Sequence, residues 1–153
     1  MKVITGKILP QVEPALPEKE VVLREMVVAE AAAEFGRGPW RLVSNGCRKI
    51  YGLSPGIYPA IVALDGTDTS VAWFLEVATP AMLDDEAAWE SWARATGTGL
   101  PAILAVPSGR GRIAQQIAGI LGVSFGLIYE YSLTLAGIRF DVSRGEAVRH
   151  RAH

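Results

Sequence analysis

The sequence predicts one α/β domain in which helices cover a mixed β-sheet. Segments of helix length without Gly or Pro alternate with short apolar runs bounded by turn residues. Hydrophobic residues make up 50% of the 153 residues, enough to build a core without disulfides or metal staples. The predicted order is α-β-β-β-α-β, followed by another helix and one or two strands. That order indicates a single mixed layer system rather than a set of domains.

The N-terminal part is predicted to be an extended arm followed by a helix. Three prolines forbid a helix in residues 1–17. Residues 18–35 contain no Gly or Pro, so a helix is expected there. Its buried face is expected to carry the apolar residues that recur at helical spacing, which are Val22, Met26, Ala29 and Ala33.

Three β-type runs follow, over residues 40–43, 58–64 and 70–78. The last two are joined by a short polar turn at residues 65–68, a pattern typical of an antiparallel hairpin.

The hairpin gives one residue unusual surroundings. If the turn centres on residues 66–69, Ala60 lies opposite Glu76 and on the same face as Glu76 and Ala78. Glu76 is then a carboxylate in an otherwise apolar strand. Burying such a charge is costly unless it is paired, hydrated or bound to a metal.

The second half of the domain alternates helices and strands. Asp84 is expected to cap a helix that ends near residue 96, and Ser108 to cap one that ends at Gly122. The inward face of the later helix is predicted to carry Ile113, Ile117, Ile120 and Leu121. Strands are expected at residues 102–106, 127–131 and 133–142. The domain thus spans residues 18–142, and residues 143–153 form a polar, basic tail.

Four segments resemble motifs of the PD-(D/E)XK nuclease-like (restriction endonuclease-like) superfamily. They are Tyr58-Pro59-Ala60-Ile61-Val62, Glu76-Val77-Ala78-Thr79, Trp92 and Leu104-Ala105-Val106-Pro107. Small bacterial members are similar, with Pro-Asp-Ile, then Glu-Val-Glu-Thr, then an apolar strand that ends in Val-Pro. The α-β-β-β-α-β order is also the core of that superfamily, and the resemblance covers residues 18–131.

The resemblance implies a metal site that has lost ligands. In active members, an aspartate after the proline and the acidic residue of the next strand hold Mg²⁺, and a lysine or its substitute two residues on helps to activate water. Here the first and last of these positions are Ala60 and Ala78, and only Glu76 matches. Glu30 is the candidate second carboxylate, because the first helix of this fold can contribute an acidic residue. A natural loss and a deliberate double substitution would both leave this pattern.

The implied function is a nuclease-like domain that acts on or binds nucleic acid, with weak or no cleavage and weak Mg²⁺ binding. Candidate phosphate contacts are Arg48, Lys49, Arg110 and Arg112, the last two aided by backbone N–H groups at a helix start. The formal net charge of −1 gives no expectation of strong sequence-independent binding. The alternative is a non-enzymatic scaffold or partner-binding protein that retains the fold. The apolar content and edge strands favour a homodimer.

Other features point to a cytoplasmic protein. The single cysteine, Cys47, cannot form an internal disulfide, and no segment has the pattern of a targeting signal or a membrane span. The only histidines, His150 and His153, lie in the predicted tail, so a Cys–His catalytic pair is not expected. No Ser/His/Asp set or cofactor loop is recognisable.

Overall fold

A computed structural model describes residues 17–46, 49–66 and 70–143. The predicted arm and tail therefore lie outside the described residues, apart from Pro17 and Ser143, as do residues 67 and 68 of the predicted turn. The described helices are α1 (Glu18–Phe35), α2 (Glu86–Thr96) and α3 (Gly111–Leu121). The described strands are β1 (Arg41–Ser44), β2 (Ile61–Leu64), β3 (Val71–Val77), β4 (Ala102–Pro107), β5 (Leu127–Thr134) and β6 (Gly137–Val142).

The six strands form one mixed sheet whose spatial order is the order along the chain. Strands β1, β2 and β3 run antiparallel, β3, β4 and β5 run parallel, and β6 returns antiparallel to β5. The two parallel connections are made by α2 and α3, as parallel pairing requires. The mixed α/β class predicted from the sequence is confirmed.

Helices cover the sheet on both faces and so divide the core in two. Alternate residues of β3 belong to different clusters: Phe74 packs with residues of α2 and α3, whereas Leu75 and Val77 pack with residues of α1. The first cluster is centred on Trp92, which is 1% exposed. The central strands are thus apolar on both faces.

The predicted pairing of Ala60 with Glu76 in the hairpin is confirmed, but the prediction that Ala60 and Ala78 lie on the same face is wrong. Ile61 pairs with Leu75, which places Ala60 opposite Glu76. However, Ala60 packs in the α1 cluster, whereas Ala78 packs in the α2–α3 cluster. The prediction that these two alanines share a face fails because the regular strand begins only at Ile61, so alternation does not extend to Ala60.

Helix α1 has the predicted bounds, but its buried face was predicted wrongly. The buried residues are Val27, Val28 and Ala31. Successive residues of an α-helix are rotated by 100°, so the apolar stripe predicted to be buried, which contains Val22 and Met26, lies on the opposite side of the helix. Its larger members are exposed, Val22 by 53% and Met26 by 47%. The helix is apolar on two opposite faces, so periodicity alone could not choose between them.

The two later helices begin after their predicted caps. Asp85, rather than Asp84, caps α2 by accepting a hydrogen bond from the Ala87 N–H at 2.9 Å. Helix α3 begins at Gly111, so Ser108 is not its cap. The buried side of α3 is formed by Ala114, Ile117 and Ala118, while the predicted core residues Ile113 and Ile120 are exposed, the latter by 74%.

A carboxylate from β5 caps helix α3. The side chain of Glu130 accepts hydrogen bonds from the N–H groups of Gly109 at 3.0 Å and Gly111 at 2.9 Å. Negative charge at a helix N-terminus is stabilising, since the N–H groups there lack partners within the helix. A Cβ atom on Gly111 would lie only 2.5 Å from the Glu130 carboxylate and 2.8 Å from Ser143 Oγ. The cap therefore requires glycine at position 111.

We expect Gly111→Ala to lower the free energy of unfolding by about 1–3 kcal/mol, because the added methyl group displaces the Glu130 cap. Gly119→Ala is the matched control in the same helix, where a Cβ atom meets nothing within 4 Å. That variant should instead gain up to about 1 kcal/mol from helix propensity. Urea denaturation of both variants measures the contrast, and equal stabilities would contradict the assigned role of Gly111.

Candidate functional site

The candidate site is built around Glu76 near the end of β3. Glu76 is only 6% exposed. Its Oε1 accepts a hydrogen bond from the Ala60 N–H at 3.3 Å, across the two strands of the hairpin. The sequence prediction of a carboxylate inside an apolar strand is therefore correct, and its direct partner is the backbone of the residue opposite.

Burial governs the chemistry of this carboxylate. Loss of hydration raises the pKa of Glu76 from its ordinary 4.5 to about 7. Three weaker influences act in the other direction: the positive charge of Arg24, the Ala60 N–H and the positive charge of Lys49. Glu76 is thus divided between its neutral and ionised forms near neutral pH.

The surroundings of Glu76 are closed to solvent. Ala60, Val77, Ala78 and Thr79 are all 0% exposed. Thr79 Oγ1 is a buried hydroxyl without a hydrogen-bond partner among the described residues. Cavities of about 310 and 240 Å³ lie elsewhere, around Leu100 and around Gly119. The carboxylate therefore does not line an open cleft.

A clamped loop brings a lysine to the same end of the sheet. Asn45 is 2% exposed. Its Nδ2 donates to the carbonyls of Tyr51 and Pro59, and its Oδ1 accepts from the N–H groups of Ile50 and Tyr51, all within 2.9 Å. These bonds fix the loop that carries Lys49, whose Nζ lies 5.9 Å from the ring centre of Tyr58.

Two further contacts tie the neighbouring elements to the end of β3. The Glu20 carboxylate of α1 accepts a hydrogen bond from the Ala81 N–H at 3.1 Å. The Tyr131 hydroxyl of β5 donates to the Ala78 carbonyl at 2.8 Å. Burial and the charge of Glu20 raise the pKa of Tyr131 further above its usual value, so the hydroxyl stays a donor. Sequence reasoning missed these contacts because they join positions 53 and 61 residues apart.

Glu30 is not brought to Glu76. It is exposed on α1, and its carboxylate lies 3.9 Å from the Cβ position of Gly137, where β6 begins at the far side of the sheet. Three strand spacings separate β3 from β6, about 14 Å even before any offset along the strands. The two carboxylates cannot share one ion in this arrangement.

The four predicted phosphate contacts are distributed over two places. Lys49 is close to Glu76, and Arg48 lies outside the described residues. Arg110 and Arg112 are exposed at the start of α3. The N–H groups of Gly109 and Gly111 beside them already donate to Glu130.

The donor set at Glu76 does not fit a Mg²⁺ ion. Magnesium requires a near-octahedral shell of oxygen ligands, usually one or two carboxylates with water and substrate phosphates. One buried carboxylate lies here between two alanine positions, whose side chains supply no oxygen ligand. Within residues 17–46, 49–66 and 70–143, no group of three or more His, Cys, Asp or Glu side chains is placed to hold a metal.

Comparisons with known proteins identify no relative. No protein-family model, curated protein or solved structure matches the chain. In the described part of the chain, no helix is both long and apolar enough to cross a membrane.

The raised pKa of Glu76 makes folding stability depend on pH. A carboxyl group whose pKa is higher in the folded state stabilises folding fully below its unfolded value, and this contribution is lost as pH rises through the folded value. From 4.5 to about 7 the loss amounts to about 3 kcal/mol. We expect Glu76→Gln to keep the hydrogen bond from Ala60, to remove this fall in stability, and to be more stable than the wild type near pH 8.

Urea denaturation at a series of pH values between about 5.5 and 8 measures this effect. Glu90→Gln, an exposed carboxylate of α2, is the control and should retain the wild-type pH dependence. Parallel wild-type and Glu76→Gln curves would show that Glu76 is ionised and solvated in the folded protein.

Proposed function

We propose that this chain is a nuclease-like domain that binds nucleic acid without cleaving it. The observation that supports the loss of cleavage is the closed packing around Glu76: both positions that would complete the site carry alanine and are 0% exposed. A cleaving site of this class must admit a metal ion, water and a phosphodiester at one point. Among the three positions only Glu76 carries an oxygen ligand, and it is 6% exposed.

Support for nucleic acid as the partner comes from the resemblance and from the exposed cations. Lys49 is exposed, and Arg110 and Arg112 are exposed at the start of α3. Contacts with phosphates supply most of the affinity in non-specific nucleic-acid binding, and they need no metal ion. Any Mg²⁺ affinity is expected to be weak.

This proposal predicts binding without catalysis. Purified wild-type chain should retard DNA equally in EDTA and in Mg²⁺, and its affinity should fall with rising salt because counterions compete for the phosphates. It should not nick a plasmid in Mg²⁺ or Mn²⁺ at high protein concentration. Glu76→Gln serves as the control and should behave like the wild type. Metal-dependent nicking that disappears in Glu76→Gln would refute the proposed loss of cleavage. Absence of DNA binding at low salt would refute the proposal that nucleic acid is the partner.

A specific observation favours a second candidate, a scaffold that assembles through α1. The exposed stripe of Val22, Met26, Ala29 and Ala33 has the 4-3-4 spacing of a coiled-coil seam. In an antiparallel pair of α1 helices, Val22 would face Ala33 and Met26 would face Ala29. Each large side chain then meets a small one, which is the packing that close helix contact requires.

Light scattering coupled to size-exclusion chromatography tests this candidate. The wild type should have twice the mass of one chain, and Met26→Asp should have the mass of a single chain, because a charge in the seam loses its hydration on pairing. Ile120→Asp, on the exposed side of α3, is the matched control and should remain dimeric. A monomeric wild type at all concentrations would exclude the α1 pairing.

A further inference from the structure

Strand β6 forms one edge of the sheet. In the described part of the chain it pairs with β5 alone, and no strand lies on its outer side. The Ser143 N–H donates to the Ile128 carbonyl at 2.8 Å, so the backbone groups of Ser143 point towards β5. Hydrogen-bonded and non-hydrogen-bonded residues alternate along an antiparallel pair of strands. The N–H and C=O groups of Ile138, Phe140 and Val142 therefore point outward to the open edge.

The side chains of β6 are divided between the two faces of the sheet. Ile138 and Phe140 pack against the α1 cluster, and the ring centre of Phe140 lies 5.5 Å from that of Phe35. Alternation places Arg139 and Asp141 on the opposite face, where Arg139 Nε lies 3.0 Å from Asp141 Oδ2. Both of these side chains are more than half exposed. The edge thus has an apolar row on one face and one positive and one negative side chain on the other.

The two charges are spaced so that the strand is complementary to itself. In an antiparallel pair of two β6 strands centred on Phe140, Arg139 of each copy lies opposite Asp141 of the other. The outward backbone groups also meet in this register, because Phe140 faces Phe140 and Ile138 faces Val142. Arg139 and Asp141 then occupy non-hydrogen-bonded positions, where opposed side chains are closest and opposite charges are stabilising.

The neighbouring registers lack this match. Sliding the strands to the next register that pairs outward groups places Arg139 opposite Arg139, or Asp141 opposite Asp141. Like charges directly opposed on two strands are destabilising. Charges on edge strands commonly prevent pairing with another chain. Because the charges at positions 139 and 141 have opposite signs, they permit the centred register and disfavour those beside it.

The apolar face of the edge is completed by the same register. Val142 is 38% exposed in the single chain. In the centred pair it lies beside Ile138 of the second copy, on the face that α1 covers. A two-fold axis perpendicular to the sheet keeps the α1 clusters of both copies on one side, so the apolar row continues from one copy to the other.

We propose that β6 pairs with β6 of a second copy of this chain, about a two-fold axis at Phe140, to join two sheets into one continuous sheet. Main-chain hydrogen bonds along the edge supply the contact, and the Arg139–Asp141 pairs set the register. The inference goes beyond the proposed function and does not depend on it. The interface also differs from the α1 candidate, since the stripe of α1 points away from the sheet. Met26→Asp, which disrupts pairing through α1, should therefore leave this dimer intact.

Light scattering coupled to size-exclusion chromatography of the full chain tests the pairing. The wild type should have twice the mass of one chain. Arg139→Asp and Asp141→Arg each place like charges opposite one another, so each variant alone should have the mass of a single chain. An equal mixture of the two variants should regain twice that mass, because every opposed pair then has opposite signs. Neither variant contains the ion pair within one chain, so this recovery requires contact between chains.

A matched control and a second measurement locate the interface. Arg41→Asp makes the same change of charge at an exposed position of β1, on the other edge of the sheet, and should remain dimeric. In hydrogen exchange followed by NMR, the N–H groups of Ile138 and Phe140 should exchange slowly in the wild type and rapidly in Arg139→Asp. The Asp141 N–H, which points towards β5, should exchange slowly in both proteins and so shows that the variant is folded.

A wild type that is monomeric at all concentrations would overturn the inference. Charge variants that keep twice the mass of one chain, or a mixture of them that stays monomeric, would do the same. A dimeric wild type in which the N–H groups of Ile138 and Phe140 exchange rapidly would place the interface elsewhere. A single-chain mass for Met26→Asp would assign the dimer to α1 instead.

Discussion

The central constraint in this fold is that β3 must be covered on both faces at once. Helix α1 packs on one face and helices α2 and α3 pack on the other, so alternate side chains of the strand enter different cores. Each apolar side chain buried in this way contributes roughly 1.5–3 kcal/mol. The same packing removes water from Glu76, whose hydrogen-bond partner is a backbone N–H and whose counter-charges, Arg24 and Lys49, lie at its periphery.

The same packing limits how many charges the end of β3 can hold. A strand that holds a metal site needs several carboxylates that remain hydrated or bound to the ion, since like charges buried together are costly. Alanine at positions 60 and 78 removes that cost, and both residues contribute to the apolar cores. Glu76 alone is tolerated because it can take up a proton near neutral pH. A second carboxylate beside Glu76 would add a like charge to the same buried place.

Local signals in the sequence were sufficient for some features and not for others. The bounds of α1 and the pairing of Ala60 with Glu76 were predictable, because Pro and Gly mark helix ends and a short turn sets the register of a hairpin. The buried face of α1 could not be predicted, because two opposite faces of that helix are apolar and tertiary packing selects one of them. The cap of α3 comes from Glu130, which follows Gly111 by 19 residues, so the sequence next to the helix could not predict it. The positions of Arg24 and Lys49 near Glu76 likewise depend on long-range packing.

The two candidate functions use different faces of the molecule, so one does not exclude the other. Helix α1 carries five glutamates and only two basic residues, and its apolar stripe points away from the sheet. A polyanion is repelled by such a face, whereas a protein surface can bury the stripe. The start of α3 lies on the opposite face of the sheet and carries the exposed Arg110 and Arg112. A dimer formed through α1 would therefore leave Arg110 and Arg112 of each copy accessible, and two such pairs on one particle would raise the avidity for a long phosphate backbone without any new contact.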